Sequence, residues 1–242
     1  MFEGWLDSRG MSQQSVPAPP WHRPAKPPAT LPTLSQDGIV SAALRVLDEE
    51  GLDAISMRRV AQALGTGVAS LYAHVANKEQ LMQLVLDRIY GELTVPPADP
   101  ERWQEQLKDF ARDLRALFLR HRDVARITFG PMPVGPNFVV VLERFLAILD
   151  AGGVRGPLVG ATGDILSLYA QAFALEESAS YAATTKPGGA AISDYLSALP
   201  ADRFPHVIAI AAMMQDGNAD DRFELGLDLL IRGIEAARDR AG

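Results

Sequence analysis

The stretch Ser56–Val75, SMRRVAQALGTGVASLYAHV, has the apolar spacing of two short helices joined by a tight turn. Val60 and Ala61 fall on one side of the first helix, and Gly65 supplies a residue that tolerates positive φ where that helix ends. Thr66 is expected to cap the second helix through its hydroxyl. The stretch therefore predicts a helix-turn-helix, whose second helix can enter the major groove of DNA. An ordinary helical hairpin inside a bundle is the alternative.

The composition of the chain narrows the class of protein. Its 242 residues, 48% of them hydrophobic, suffice for a small module and a larger one with a real core. The chain has no cysteine, which excludes disulfides and thiolate metal sites, and we expect neither a metal nor a cofactor. We find no apolar run of about 20 residues and no secretion signal, so we expect a cytoplasmic protein without a membrane span. The net charge of −7 argues against a general nucleic-acid binder.

Residues 1–34 contain many prolines and little apolar periodicity. Such a segment cannot bury enough surface to offset the entropy lost on ordering, so we expect an extended or disordered tail. Met11 is a second candidate for the start of the protein.

Residues 35–94 are predicted to form a compact domain of four helices. The first helix spans about Gln36–Glu50, and Ser35 and Gly51 are suited to begin and end it. The helix-turn-helix follows, and Asn77 can cap a fourth helix that ends near residue 93. The sequence VPPADP at residues 95–100 breaks helical periodicity and marks a domain boundary.

Residues 101–240 are predicted to form a larger domain that is also helical, which makes the whole fold all-α. The run FVVVL at residues 138–142 has the composition of a strand, but helical spacing continues through Leu149 and favours a helix. The predicted helices span about residues 101–120, 122–128, 138–149, 157–182, 192–199, 204–214 and 220–240.

The last predicted helix carries more apolar surface than one packing face requires. Leu225 and Leu229 form a second flank, and a long helix rich in small residues precedes it. We predict that a second copy covers this surface in a four-helix interface. The predicted interface residues are Ile165, Leu168, Leu225, Leu229 and Arg232. The alternative is that both helices are buried within one subunit.

The region from Gly38 to Leu93 resembles the TetR family of bacterial transcriptional regulators, and the tetracycline-repressor branch in particular. The positions that carry the resemblance are Ile39, Ala42, Ala43, Leu47, Glu50, Gly51, Ser56, Arg58, Val60, Ala61, Leu64, Gly65, Val68, Leu71, Tyr72, Ala73, His74, Val75, Asn77, Lys78, Glu79 and Leu81. The resemblance of the second domain is looser. The family implies an all-helical homodimer that binds a palindromic operator and releases it when a small molecule enters the second domain.

The resemblance also implies roles for single residues in the helix-turn-helix. Tyr72 is expected to reach a phosphate or a thymine, with burial in the core as the alternative, and Lys78 is expected to contact phosphate. Val68 and Ala69 stand where related proteins read bases with polar side chains, which favours methyl contacts here. The predicted DNA-binding residues are Ser56, Arg58, Thr66, Val68, Ala69, Ser70, Tyr72, His74 and Lys78.

Physical chemistry supports several of these roles independently. Ser56 lies at a helix N-terminus, which attracts anions, and the hydroxyls of Thr66 and Ser70 suit phosphates or base edges. Arg58 is equally consistent with DNA contact and with simple solvation. Residues 35–92 carry five basic and eight acidic side chains, a net charge of −3. This balance predicts few phosphate contacts and a modest salt dependence of DNA binding.

The second domain offers candidates for an apolar effector pocket, although most of them are better suited to a plain core. The predicted pocket residues are Phe110, Phe118, His121, Phe129, Phe138, Tyr169, Phe173 and Glu176. The identity of the effector does not follow from these residue types.

Two other classes of function remain open. A helical adaptor that binds protein would need no DNA contact. An all-α enzyme is disfavoured, because the chain has four histidines and none of the metalloprotease, nucleophile-elbow or phosphate-loop motifs.

Overall fold

A computed structural model describes residues 34–128, 134–178, 189–213 and 219–241 of the chain. The predicted tail therefore lies outside the described residues, apart from Leu34. All regular secondary structure within the described ranges is helical, which confirms the predicted all-α class. The helices belong to a compact unit that spans residues 35–242.

Eleven α-helices are present in the described part of the chain. They are α1 (Gln36–Glu50), α2 (Met57–Ala63), α3 (Val68–Tyr72), α4 (Lys78–Tyr90), α5 (Trp103–Arg120), α6 (Val124–Ile127), α7 (Pro136–Ala151), α8 (Pro157–Glu177), α9 (Gly189–Ser197), α10 (Pro205–Met213) and α11 (Ala219–Ala241).

Helix α1 begins and ends where its sequence predicts. The Ser35 hydroxyl accepts the N–H of Gly38 at 3.1 Å, and Gly51 ends the helix with a φ of 89°. The face that carries Ile39 and Leu47 is fully buried and packs against α2 and α4. Helix α1 therefore supports the helix-turn-helix from behind.

The turn between α2 and α3 corrects one prediction. Gly65 adopts a φ of 65° as expected. The Gly65 N–H donates to Gln62 and the Thr66 N–H donates to Ala61 at 3.0 Å, the pattern of a Schellman motif. Because Thr66 closes α2 in this way, Gly67 takes the N-cap position of α3, where no side-chain cap forms. The predicted capping role of Thr66 is wrong.

Helices α5, α7, α8 and α11 enclose the main hydrophobic core. Helix α5 packs against α7, α8 and α11, and α8 packs against α11. Leu107, Leu166 and Phe223 are fully buried at the centre of this core. The run at residues 138–142 lies in α7, which confirms the predicted helix.

Helix α8 differs from expectation in two respects. It ends at Glu177, before the predicted end near residue 182, because Ser178 leaves the helical conformation. By length and composition alone, α8 also qualifies as long and apolar enough to span a membrane, although no such span was predicted from the sequence. Only 28% of its most apolar window is buried, so much of its apolar surface is open to a further partner.

Candidate DNA-binding surface and effector region

The second helix of the helix-turn-helix, α3, turns one side inward and the other outward. Leu71 is fully buried, and Val75, just beyond the helix, is buried as well. Tyr72 lies between them in sequence, and 53% of its surface is exposed. Tyr72 is therefore not a core residue, and its phenol is available to a ligand outside the chain.

The other predicted DNA-binding residues lie on the same segment, from the start of α2 to the start of α4. Thr66 and Val68 are half-buried, whereas the rest are exposed. The exposed residues are Ser56, Arg58, Ala69, Ser70, His74 and Lys78. The Ser56 hydroxyl accepts the N–H of Arg59 at 3.1 Å, which confirms its role as the cap of α2. The contacts of all these residues with DNA stay predictions.

Ion pairs separate the cations of this region into two groups. Arg59 donates to the Glu50 carboxylate, and this contact lowers the pKa of Glu50 and raises that of Arg59. Arg88 pairs in the same way with Asp37. Neither Arg58 nor Lys78 forms an ion pair within the described residues. Arg58 and Lys78 therefore remain available to phosphate, and so does Arg45 of α1, which is exposed and forms no ion pair within the described residues either.

Two glutamines hold the segment that follows Tyr72, between α3 and α4, and neither was predicted from the sequence. The Gln36 side chain donates to the carbonyl of His74 at 3.1 Å, which ties the start of α1 to the end of α3. Asn77 accepts the N–H of Gln80 at 2.8 Å, while the Gln80 side chain accepts the N–H of Ala76. The spacing of Asn77 and Gln80 is that of a capping box, a signal that could have been read from the sequence.

The predicted pocket residues fall into separate groups instead of surrounding one cavity. Tyr169 and Phe173 pack against Phe223 with ring centroids 5.1 and 5.2 Å apart, and Arg115 lies over the Phe223 ring at 4.6 Å. Phe110 packs against Phe145 at 4.8 Å. These aromatic side chains are partly or fully buried against the main core.

The remaining predicted pocket residues lie elsewhere. Phe118 and Phe138 both contact the ring of Tyr90, and Glu176 pairs with Arg222 at 2.9 Å. Phe118 and His121 also line a cavity of about 510 Å³. Phe129 lies outside the described residues.

His121 is a structural link where α5 ends. Its Nδ1 lies 3.1 Å from both carboxylate oxygens of Asp48 in α1, and its Nε2 lies 3.0 Å from Glu92. The ring is buried, and each of its two nitrogens faces a carboxylate of the protein. His121 therefore connects α1, α5 and the residues after α4, so its ring nitrogens face protein partners although it was predicted as an effector-pocket residue.

The predicted interface residues of α8 and α11 are exposed. Ile165, Leu168, Leu225 and Leu229 each expose between 41% and 65% of their surface, and Arg232 is exposed beside them. Small residues extend both stripes, at Ala161 and Ala172 on α8 and at Gly233 and Ala236 on α11. The described part of the subunit therefore leaves both stripes exposed, and their burial in a dimer stays a prediction.

Ion pairs fix α11 against α5. Arg112 donates to both oxygens of Glu224, at 2.8 and 2.7 Å, and also pairs with Glu105 and Asp109. The contact with Glu224 raises the pKa of Arg112. Arg115 joins α5 to α8 in the same way, because it donates to both oxygens of Glu177, at 2.9 and 2.7 Å. The separation of these partners along the chain hid the pairs from sequence analysis.

Comparison with known proteins places this arrangement in a family. Residues 39–85 match the family described as bacterial regulatory proteins, tetR family. Residues 96–238 match the family described as tetracyclin repressor-like, C-terminal domain. Together the two matches cover the helix-turn-helix, α5 and the large core.

Individual relatives agree with these matches. A crystal structure of apo ActR from Streptomyces coelicolor is 45% identical, with a TM-score of 0.80, and the match covers 86% of this chain and 98% of ActR. An HTH-type transcriptional regulator from Saccharopolyspora erythraea is 31% identical over 95% of this chain and 96% of its own length. The transcriptional repressor DrrR1 of Streptomyces coeruleorubidus is 30% identical over 88% of this chain and 81% of its own length. The chain therefore belongs to the TetR family of ligand-responsive bacterial transcriptional regulators.

Proposed function

We propose that this chain is a homodimeric repressor that binds a two-fold symmetric operator and releases it when a small effector binds. The observation that carries the proposal is the exposure of Tyr72 between the buried residues Leu71 and Val75. A large aromatic side chain held outward on the second helix of a helix-turn-helix is suited to a DNA groove. Residues 35–94 form the DNA-binding domain in this proposal, and residues 101–240 bind the effector and form the dimer.

The DNA contacts follow from the exposed surface around α3. Arg58 and Lys78 approach phosphates, because their charges have no partner within the described residues. Ser56 and Ser70 donate hydrogen bonds from their hydroxyls, and Ala69 meets base methyl groups. Tyr72 and His74 complete the contact surface. Two phosphate contacts per half-site give only a small sequence-independent contribution to affinity, which agrees with the net negative charge of the chain.

The dimer is proposed to form through the exposed stripes of α8 and α11. Their leucines and small residues offer an apolar face that two helices from a second subunit can cover. An isologous interface of this kind places two copies of α3 in a symmetric arrangement. Two successive major grooves of a palindromic operator require that symmetry.

The effector is proposed to resemble the ligand of a close relative. Crystal structures show ActR in complex with actinorhodin and with (S)-DNPA. The ActR chain in the actinorhodin complex is 46% identical in sequence to this chain, with a TM-score of 0.78. The aromatic group around Tyr169, Phe173 and Phe223 offers ring faces on which an aromatic effector can stack. We propose that these side chains, with Phe110, separate to admit it.

Footprinting on the DNA upstream of the chain's own gene tests the proposal. We expect protection of a two-fold symmetric site, and loss of that protection as actinorhodin is added. Sedimentation of the same sample should show a dimer. A folded dimer that protects no DNA would overturn the proposal and favour the protein-binding adaptor instead. A cytoplasmic location and a role as a regulator instead of an enzyme are part of the same proposal.

A further inference from the structure

A cavity of about 510 Å³ lies where α1, the end of α5, α6 and the end of α8 meet. This volume falls within the range of small-molecule sites, about 300–1,000 Å³. The cavity is separate from the aromatic group around Tyr169, Phe173 and Phe223, because none of those three residues lines it. Two of the predicted effector-pocket residues, Phe118 and His121, line it, whereas Tyr169 and Phe173 do not.

The inner wall of this cavity is apolar. Phe118 and Ala125 are buried beneath it, and Leu119 and Leu175 contribute aliphatic surface that is still partly accessible. Such a wall favours a hydrocarbon or aromatic body over bulk water, at about 25 cal/mol for each Å² covered. This apolar wall by itself does not distinguish between charged and neutral ligands.

Three arginines, Arg120, Arg122 and Arg126, line the same cavity and remain between 42% and 57% exposed. Each guanidinium carries five N–H donors, and few of them are engaged by protein acceptors. Arg120 donates to Glu92, Arg122 donates to the carbonyl of Glu49, and Arg126 donates to Asp123 at 3.3 Å. Looser ion pairs join Arg122 to Asp123 at 4.0 Å and Arg126 to Asp53 at 3.8 Å. Each of Arg122 and Arg126 therefore makes one hydrogen bond within the described residues and keeps further N–H donors for a ligand of the cavity.

The two acids that line the cavity do not cancel this excess of donors. Asp48 is held by His121, and Asp123 accepts the backbone N–H of Leu52 at 2.9 Å as well as Arg126. Their oxygens therefore already face internal donors. An incoming ligand meets an apolar floor and a rim of guanidinium donors, which together suit a planar anionic group such as a carboxylate.

We propose that this cavity is a second ligand site, which binds an organic anion with an apolar body, and that Arg122 and Arg126 hold its anionic group. The apolar body lies against Phe118, Leu119 and Leu175. Because the site is built by this chain alone, binding requires neither operator DNA nor the effector of the aromatic group.

Calorimetric titration of the full chain with octanoate tests the site, with octanamide as a neutral probe of the same length. We expect octanoate to bind at least tenfold more tightly than octanamide, because a charge-assisted hydrogen bond contributes about tenfold in affinity. The double variant Arg122→Gln, Arg126→Gln should lose at least tenfold in octanoate affinity. Arg155→Gln, an exposed arginine outside the cavity, should leave the affinity unchanged.

Three results would overturn the proposal: no binding of octanoate, equal binding of the two probes, or an unchanged affinity in the double variant. Should the double variant fail to fold, Leu119→Asp gives a second test at a partly exposed position of the apolar wall. That variant should also lose at least tenfold in octanoate affinity while its thermal unfolding stays cooperative, and retained affinity would contradict the site. Neither titration contains DNA, so its outcome is independent of the proposed repressor function.

Discussion

Asp87 of α4 accepts the backbone N–H of Phe138 at 2.9 Å, in the first turn of α7. The second oxygen of Asp87 accepts the side-chain amide of Asn137 at 3.1 Å. The positive end of the α7 dipole also stabilises the negative charge of a carboxylate at this position. Asp87 therefore caps α7 from another helix. It joins α4, which follows the helix-turn-helix, to α7 of the larger domain.

Asp87→Ala is expected to lower the free energy of unfolding by about 1–3 kcal/mol, because it leaves a backbone donor without its partner. Urea denaturation followed by circular dichroism measures the change. Glu143→Ala, an exposed acid on α7, is the matched control and should change the stability by less than about 0.5 kcal/mol. Equal losses in the two variants would show that the Asp87 contact does not support the fold.

Alkaline pH should destabilise the protein through Tyr90. Burial raises the pKa of this phenol to about 12, above its ordinary value of 10.0. Above pH 10 the unfolded chain loses the phenolic proton while the folded chain keeps it, so stability falls as the pH rises from about 10 to 12. The expected slope is about 1.4 kcal/mol per pH unit over that window.

Tyr90→Phe removes the ionisable group and keeps the ring that contacts Phe118 and Phe138. Denaturation curves at pH 8 and at pH 11 should therefore differ more for the unaltered chain than for Tyr90→Phe. An identical pH dependence in both proteins would assign the alkaline loss to other groups.

Lys78 should contribute to DNA affinity through the salt-dependent part of binding. One phosphate contact per subunit amounts to two per dimer, so Lys78→Ala should reduce the slope of log affinity against log salt by about 2. Fluorescence anisotropy with an operator duplex at several salt concentrations measures this slope. Arg88→Ala is the control, because Arg88 is held by Asp37. An unchanged slope in Lys78→Ala would exclude a phosphate contact.

Leu229→Glu should break the dimer, because it places a charge in an apolar interface that would have to bury it. Sedimentation velocity should show a shift from dimer to monomer at micromolar concentration. Val139→Glu introduces the same charge at an exposed position on α7 with similar exposure and should leave the dimer intact. A Leu229→Glu protein that stays dimeric would move the interface away from α8 and α11.

Local features of the fold were predictable from the sequence where the signal lies within a few residues. Ser35, Gly51 and Asn77 set helix boundaries through their own backbone and side-chain contacts, and the structure confirms them. Thr66 was misjudged because two neighbouring motifs compete for it, and the Schellman motif that ends α2 takes precedence.

The effector region was less predictable because its contacts join distant parts of the chain. His121 is a residue type that could bind a polar group of an effector, but its partner Asp48 lies 73 residues away in α1. Arg112 and Glu224 are separated by 112 residues. Residue type marked the aromatic side chains as candidates for a pocket or a core, yet it could not assign them to separate groups.

Affinity of the Tyr72→Ala variant for an operator duplex tests the central claim most directly. Tyr195→Ala provides the control, since Tyr195 of α9 is 66% exposed and lies outside the helix-turn-helix. If α3 enters the groove, Tyr72→Ala should bind at least tenfold more weakly while remaining a folded dimer, and Tyr195→Ala should bind as the unaltered chain does. An operator affinity that is the same in both variants would contradict the placement of α3 in the DNA groove.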